Sequence, residues 1–196
     1  MSDPIDLPNV RIITVSGRIA SGSTTLAKLL AEKLSWRHIE GGEVFWEEVR
    51  KKMDLSEKDT NLRPDKEDTT FDTQLKKMLA EEQHIILETK LAGFNAQGIP
   101  GVFKILVICE ENGVDQTQIR IDRLVNRTGQ SMEQAKEEVL HREKSDIEKW
   151  RNLYAGGDQT WVYWDKKYYD LVINTFDHSD EEAFKNALEA LKVNNF

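Results

Sequence analysis

Residues 17–25, GRIASGSTT, follow the apolar run VRIITVS (10–16) and lead into TTLAKLLAEKL (24–34). Gly17, Gly22 and Thr24 stand in the frame of a phosphate-binding loop, G-x-x-x-x-G-K followed by Ser or Thr, with Ser23 in the lysine position. Such a loop needs glycines that let the backbone wrap an anion, amides at a helix start that lack an intrahelical acceptor, and a hydroxyl for Mg2+. The flanks provide the setting. VRIITVS is a β-branched run suited to a strand buried on both faces, and Leu26, Leu29, Leu30 and Leu34 share one face of the helix that follows. What the frame lacks is the lysine's point charge. Charge-assisted hydrogen bonds contribute about 1.5–3 kcal/mol each, so Arg18 or cations from elsewhere in the chain are expected to compensate.

Working outward, four more short apolar runs read as strands: RHIE (37–40), HIILE (84–88), VFKILVIC (102–109) and YYDLVINT (168–175). Helical patterns separate them, around 41–53, 71–82 and 180–192. Strand after helix after strand predicts an α/β chain with a doubly wound, parallel, five-stranded sheet. Residues 1–9, with Pro4 and Pro8, read as a flexible N-terminal arm, and 10–193 as a single domain. Two helical inserts interrupt it, at about 40–83 and about 116–155. In the second, Gly129 closes one helix and Ser131 with Gln134 fits a capping box opening the next.

A chain of 196 residues with a formal charge of -8 argues against broad nucleic-acid binding, so any polyanion must meet local cations. No run approaches the roughly 20 apolar residues of a membrane helix, and MSDPIDLPNV has neither a basic nor an apolar leader region. A cytoplasmic location is expected. Cys109 is the single cysteine, which excludes an intrachain disulfide and a cysteine-rich zinc site. His38, His84, His141 and His178 show no metal-ligand spacing.

Arg120, Arg123 and Arg127 are spaced three and four apart, so one helical face presents all three, and Arg142 on the next helix can oppose them. Such a set is either a solvated face with acidic neighbours or a cationic cover for phosphate; beside the loop, phosphate contact is expected for Arg123 and Arg127 first. Glu88 ends HIILE, where a doubly wound sheet places ligands. It either holds Mg2+ through water or pairs with Lys90. Asp68 and Asp72, four apart, share a helix face and suit a helix start. Trp46, Trp150, Trp161 and Trp164 are large rings; Phe45 and Trp46 offer flat faces for a base, with core packing the alternative.

Nearly the whole chain, Val10 to Lys192, resembles the archaeal-type cytidylate kinases, a family of nucleoside monophosphate kinases. The matching segments, in order, are ITVSGRIASGSTTLAKLLAEKL, GGEVFW, the Asp68 and Asp72 pair, ILETKLAGF, RIDRLVNRTGQSMEQAKEEVLHREKSDIEKWRNLY and YYDLVINT. Members of that family often carry threonine in the lysine position, so Ser23 is a mild variant.

The resemblance implies a P-loop NTPase fold with helical monophosphate-binding and lid inserts, and transfer of the ATP γ-phosphate to CMP or dCMP with Mg2+. It implies donor contacts at Gly17, Arg18, Ala20, Ser21, Gly22, Ser23, Thr24, Thr25 and Arg120, with Thr24 and Glu88 at the metal. Lys90, Arg123, Arg127 and Arg142 are implied around the transferring group. Glu43, Trp46, Asp68, Asp72, Lys90 and Gly93 are implied around the acceptor. The chain departs from the family at Trp46, Lys90 and Lys149, each in an arginine position, and a compact ammonium does not replace a planar guanidinium fork. Those losses leave two alternatives: a degenerate nucleotide-binding sensor or interaction module, or a kinase of another small acceptor. The expected partners are small-molecule nucleotides alone, with the chain a monomer or weak homodimer.

Overall fold

The computed structural model describes residues 3–41 and 64–193. Glu43, Trp46 and all but the first residue of the helix expected at 41–53 lie outside the described residues. The sheet contains β1 (Ile12–Gly17), β2 (Arg37–Glu40), β3 (Ile85–Glu88) and β4 (Val102–Ile108). After β4 comes a small antiparallel hairpin of β5 (Glu110–Glu111) and β6 (Val114–Asp115), and β7 (Leu171–Asn174) returns to the sheet. The strand order is β2-β3-β1-β4-β7 and every pairing is parallel. All five expected strands are present.

Alternation along β1 divides the core between two faces. Ile13 and Val15 meet Leu26, Leu30 and Leu34 of α1 (Ser23–Leu34), and Ala183, Ala187 and Leu188 of the closing helix (Asp180–Ala190) pack into the same cluster. On the other face Ile12 joins Leu75 and Leu79 of α2 (Asp65–Glu81) and Ala92 of the short α3 (Ala92–Asn95). Each such leucine contributes about 1.5–3 kcal/mol by leaving water. The helix expected near 71–82 starts earlier, at Asp65, because Pro64 can precede a helix and Asp65, Glu67 and Asp68 suit its positive end.

The second insert is a helical arm. It comprises α4 (Thr117–Thr128), α5 (Met132–Lys136), a π-helical turn (Glu137–Arg142) and α6 (Glu143–Tyr154), with the closing helix then α7. Gly129 stops α4 at φ 70, and the Ser131–Gln134 capping box starts α5. The arm has a small apolar centre of Ile121, Leu124, Ala135 and Val139, against which Ile19 and Ala20 of the loop pack. Trp150 and Trp161 belong to a separate buried cluster with Leu91, Ile147 and Tyr163, and Trp164 packs against it. All three rings serve core packing, while Phe45 and Trp46, the rings expected to face a base, lie outside the described residues.

The expected loose arm at 1–9 is corrected over its described residues. Leu7 is buried in the main core, Ile5 N–H donates to Leu34 O (2.9 Å), and Trp36 Nε1 donates to Ile5 O (2.9 Å). A polar-looking segment with two prolines is held by the Leu7 anchor, by these hydrogen bonds and by the pairing of His84 with Asp6 (2.8 Å).

Candidate active site

The strand order places the turn after β1 where chain connections diverge to either side of the sheet, the position at which a doubly wound fold opens a crevice. Gly17 begins that turn without room for a side chain: a Cβ would lie 2.3 Å from Ser21 Oγ and 2.9 Å from Val107 O. Gly22 sits at φ 105, and Ala20 at φ 60 takes a left-handed conformation unusual for a residue with a Cβ. The loop carbonyls are held from outside. Ile19 O accepts from Arg120 Nη1 (2.7 Å) and Ser21 O from Thr175 Oγ1 (2.7 Å), with a longer contact from the Tyr163 hydroxyl to Gly17 O (3.4 Å). Tyr163 is fully buried, and burial pushes its pKa far above the usual phenol value, so it remains a donor. The first amides of α1, at Ser23, Thr24 and Thr25, are the ones a helix leaves without internal acceptors.

These elements surround a cleft of about 240 Å³. Gly17, Arg18, Ala20, Gly22, Ser23 and Thr24 line it from the loop, Glu88 and Lys90 from the end of β3, and Arg127 and Arg142 from the arm. Thr24 Oγ1 donates to Glu88 Oε1 (2.6 Å), Ser23 Oγ approaches the same oxygen (3.3 Å), and His38 Nε2 lies 3.1 Å from Glu88 Oε2. Glu40, in register beside Glu88 on β2, also lines the cleft. Hydroxyls and carboxylates are the hard oxygen donors that suit Mg2+. The alternative pairing of Glu88 with Lys90 is not formed; Lys90 Nζ donates instead to Asp146 Oδ2 (2.8 Å).

The arginines divide. Arg127 is exposed at the cleft and makes no ion pair among the described residues, and Arg142 lines the cleft with Nη1 on Glu138 Oε2 (2.6 Å). Arg120 and Arg123 do not line it. Arg120 is wholly buried between Asp115 (3.0 Å) and Glu143 (3.3 Å), and Arg123 donates to Thr175 Oγ1 (2.9 Å) and Thr175 O (2.8 Å). Their shared helix face abuts the outside of the loop, and only its last arginine projects past the loop. Arg18, the nearest substitute for the missing lysine, commits its guanidinium to Glu143 (2.5 Å) and Asp115 (3.0 Å) and stacks on Trp164 at 4.4 Å. Ser21 is buried with its Oγ unpartnered, and Thr25 is exposed; neither lines the cleft.

Residues 12–177 match the family model described as the cytidylate kinase-like family. The chain belongs to the cytidylate kinase-like family. It is similar to the cytidylate kinase of Methanopyrus kandleri, 31% identical with 88% of this chain and 89% of that one covered. It is also similar to that of Haloarcula marismortui, 32% identical with 84% and 80% covered. Among solved structures it shares its fold with the shikimate kinase of Bacteroides thetaiotaomicron, at a TM-score of 0.57 and 15% identity over 93% of this chain and 99% of that one. The fold is that of the P-loop kinases and the chain is an ATP-dependent phosphotransferase. Among the described residues no helix is long and apolar enough to cross a membrane.

A second cluster of this kinase lies where α2 meets α6. Asp68 and Asp72 are both buried on one face of α2. Lys149 Nζ reaches Asp68 Oδ2 (2.5 Å), and Trp150 Nε1 makes a long contact with Asp68 Oδ1 (3.4 Å). Asn95 Nδ2 donates to Asp72 Oδ1 (2.7 Å), and the Tyr154 hydroxyl donates to Asp72 Oδ2. Burial raises the Asp72 pKa, and the Tyr154 and Asn95 hydrogen bonds only partly oppose that. Gly93 stands apart from this cluster: its N–H donates to Ser16 Oγ (3.0 Å), and a Cβ there would lie 2.2 Å from the Tyr169 ring.

Sequence reasoning missed His38, Glu40, Asn95, Thr175, Glu138 and Glu143. Position carried a signal for two of them: Glu40 ends a strand exactly as Glu88 does, and Glu138 lies four residues before Arg142. The others act through partners more than 20 residues away in sequence.

Proposed function

We propose that this chain transfers the γ-phosphoryl group of ATP, with Mg2+, to CMP or dCMP. The observation that carries the reading is one cleft that joins loop amides, the Thr24–Glu88 oxygen pair and the Arg127 and Arg142 side chains. Phosphoryl transfer asks for positioning and charge stabilisation more than for a strong base. The amides of the loop and of the α1 start hold the donor phosphates, while Thr24 directly and Glu88 through water hold Mg2+. When bound, the metal offsets charge on the phosphate oxygens. Lys90, Arg127 and Arg142 orient the transferring group and stabilise the charge it develops. Asp68 or Asp72 accepts from the amino group of the base, and the acceptor phosphate competes with Asp146 and Asp68 for Lys90 and Lys149. The described part of the 40–83 segment, Asp65–Glu81, serves the acceptor, and 116–155 is the lid. The names of the archaeal relatives support cytidylate as acceptor. The enzyme is cytoplasmic, binds small-molecule nucleotides and works as a monomer or weak dimer.

An ADP-release assay with CMP, dCMP, UMP, AMP, GMP, shikimate and gluconate tests the reading. Turnover highest with CMP or dCMP is expected; turnover of another acceptor with neither of these overturns it. A second reading, nucleotide binding without useful turnover, is favoured by the pairing of Arg18, Lys90 and Lys149 with carboxylates. Calorimetric binding of Mg-ATP beside a silent assay with every acceptor selects it.

A further inference from the structure

We propose that Glu143, together with Arg120, is a positioning residue for the phosphate loop, holding the Ile19–Ala20 turn in its anion-binding shape from behind. The proposal rests on the reading of residues 17–24 as the donor-phosphate site. Two side chains from opposite helices of the arm grip the same residue of the loop. Glu143 Oε2, at the start of α6, accepts from Ile19 N–H (3.3 Å), and Arg120 Nη1, on α4, donates to Ile19 O (2.7 Å). The two are tied to each other at 3.3 Å and are almost wholly buried, 2% and 0% exposed. Asp115 and Arg18 complete the cage, through Asp115 to Arg120 (3.0 Å) and Arg18 to Glu143 (2.5 Å).

The peptide groups on both sides of Ile19 are therefore fixed. The next residue is the one that needs fixing. Ala20 at φ 60 occupies a conformation that an L-residue with a Cβ holds only where its surroundings over-determine it. The apolar side of the turn is held as well, since Ile19 and Ala20 pack on the arm centre of Ile121, Leu124, Ala135 and Val139. One residue on, Ser21 O is held by Thr175, which Arg123 holds in turn. Burying Glu143 and Arg120, with Asp115 and Arg18 partly buried beside them, costs desolvation that pairing only repays in part, so the cage is a poor device for stability alone. Its geometry suits a different task. With no lysine at position 23, donor binding depends on how the amides point, and the cage sets how they point. Arg120 and Arg123, which by spacing look like phosphate ligands, shape the phosphate site without touching phosphate.

Glu143→Gln in the full chain tests this, read by calorimetric ADP binding, by KM for ATP and for CMP, and by thermal midpoint. The expected result is about tenfold weaker ADP binding and a matching rise in KM for ATP, with KM for CMP within about twofold. Ala20→Gly in the Glu143→Gln background removes the cost of positive φ without restoring an ion pair, and is expected to recover part of the ADP affinity. Should Glu143→Gln not fold, Arg120→Lys keeps the buried charge while losing the fork that spans Ile19 O and both carboxylates; the same donor-selective loss is expected. A lowered thermal midpoint with unchanged ADP affinity, or equal rises in both KM values, overturns the proposal alone. Absence of ADP binding to the wild-type chain overturns the donor-site reading and the proposal with it.

Discussion

The loop end and the α2–α6 end of this kinase hold their polar groups in opposite ways. At the loop, the groups left without internal acceptors are backbone amides; Glu143 accepts from the Ile19 N–H, and Tyr163, Arg120 and Thr175 hold the carbonyl side. Toward α6 the cations are lysines, each already engaged: Lys90, which also lines the loop cleft, with Asp146, and Lys149 with Asp68. The loop is preformed, whereas an anion binding on the α6 side is expected to exchange partners with carboxylates that are almost wholly buried.

Gly17→Ala strikes hardest at the preformed side. Its Cβ would meet the Val107 carbonyl of the neighbouring strand at 2.9 Å and Ser21 Oγ at 2.3 Å, so the loop must shift. A displacement of about 1 Å costs about 100-fold in turnover. Steady-state rates beside a urea melt measure it, and an unchanged rate breaks the claim of preorganisation. Lys90→Met probes the exchanging side by leaving Asp146, 6% exposed, without its lysine. A loss of about 2–3 kcal/mol is expected, below the fully buried figure because Lys90 is 22% exposed. Chemical denaturation checks it, with Lys90→Arg expected to retain most of the stability.

Asp72 gives a smaller, pH-dependent effect. Burial raises its pKa in the folded chain above the unfolded value, so the folded chain binds this proton more tightly. Its contribution therefore favours folding at low pH, declines as pH rises from the usual carboxylate range through the raised value, and is flat above. Asp72→Asn is expected to remove that decline, seen as a flatter profile of urea midpoint against pH. A profile identical to the wild type assigns the pH dependence elsewhere. Least of all, Ser23→Ala loses one long hydrogen bond to Glu88 while Thr24 keeps the short one. The expected change is below about threefold in KM for ATP. A larger effect makes Ser23 itself a working replacement for the lysine.

Much of this was legible in the chain. The five strands, the helix after the loop and the capped arm follow from short-range patterns: β-branched runs, leucines on one helical face, Gly129 and the Ser131 capping box. The loop was readable because its chemistry is local, with glycines, hydroxyls and helix start contiguous in sequence. The arginines were not readable in the same way. A spacing of three and four places Arg120, Arg123 and Arg127 on one face, and nothing in that spacing says what the face meets.

The sequence by itself determined the fold class and the phosphate loop, because those depend on periodicity and on neighbours a few positions apart. Only the tertiary structure decided which cations face the cleft and which stand behind the loop. Charge compensation depends on partners brought together across the chain, as Glu143 meets Ile19 over 124 positions and Lys90 meets Asp146 over 56. The same guanidinium binds an anion or braces a backbone according to which of those partners reaches it first.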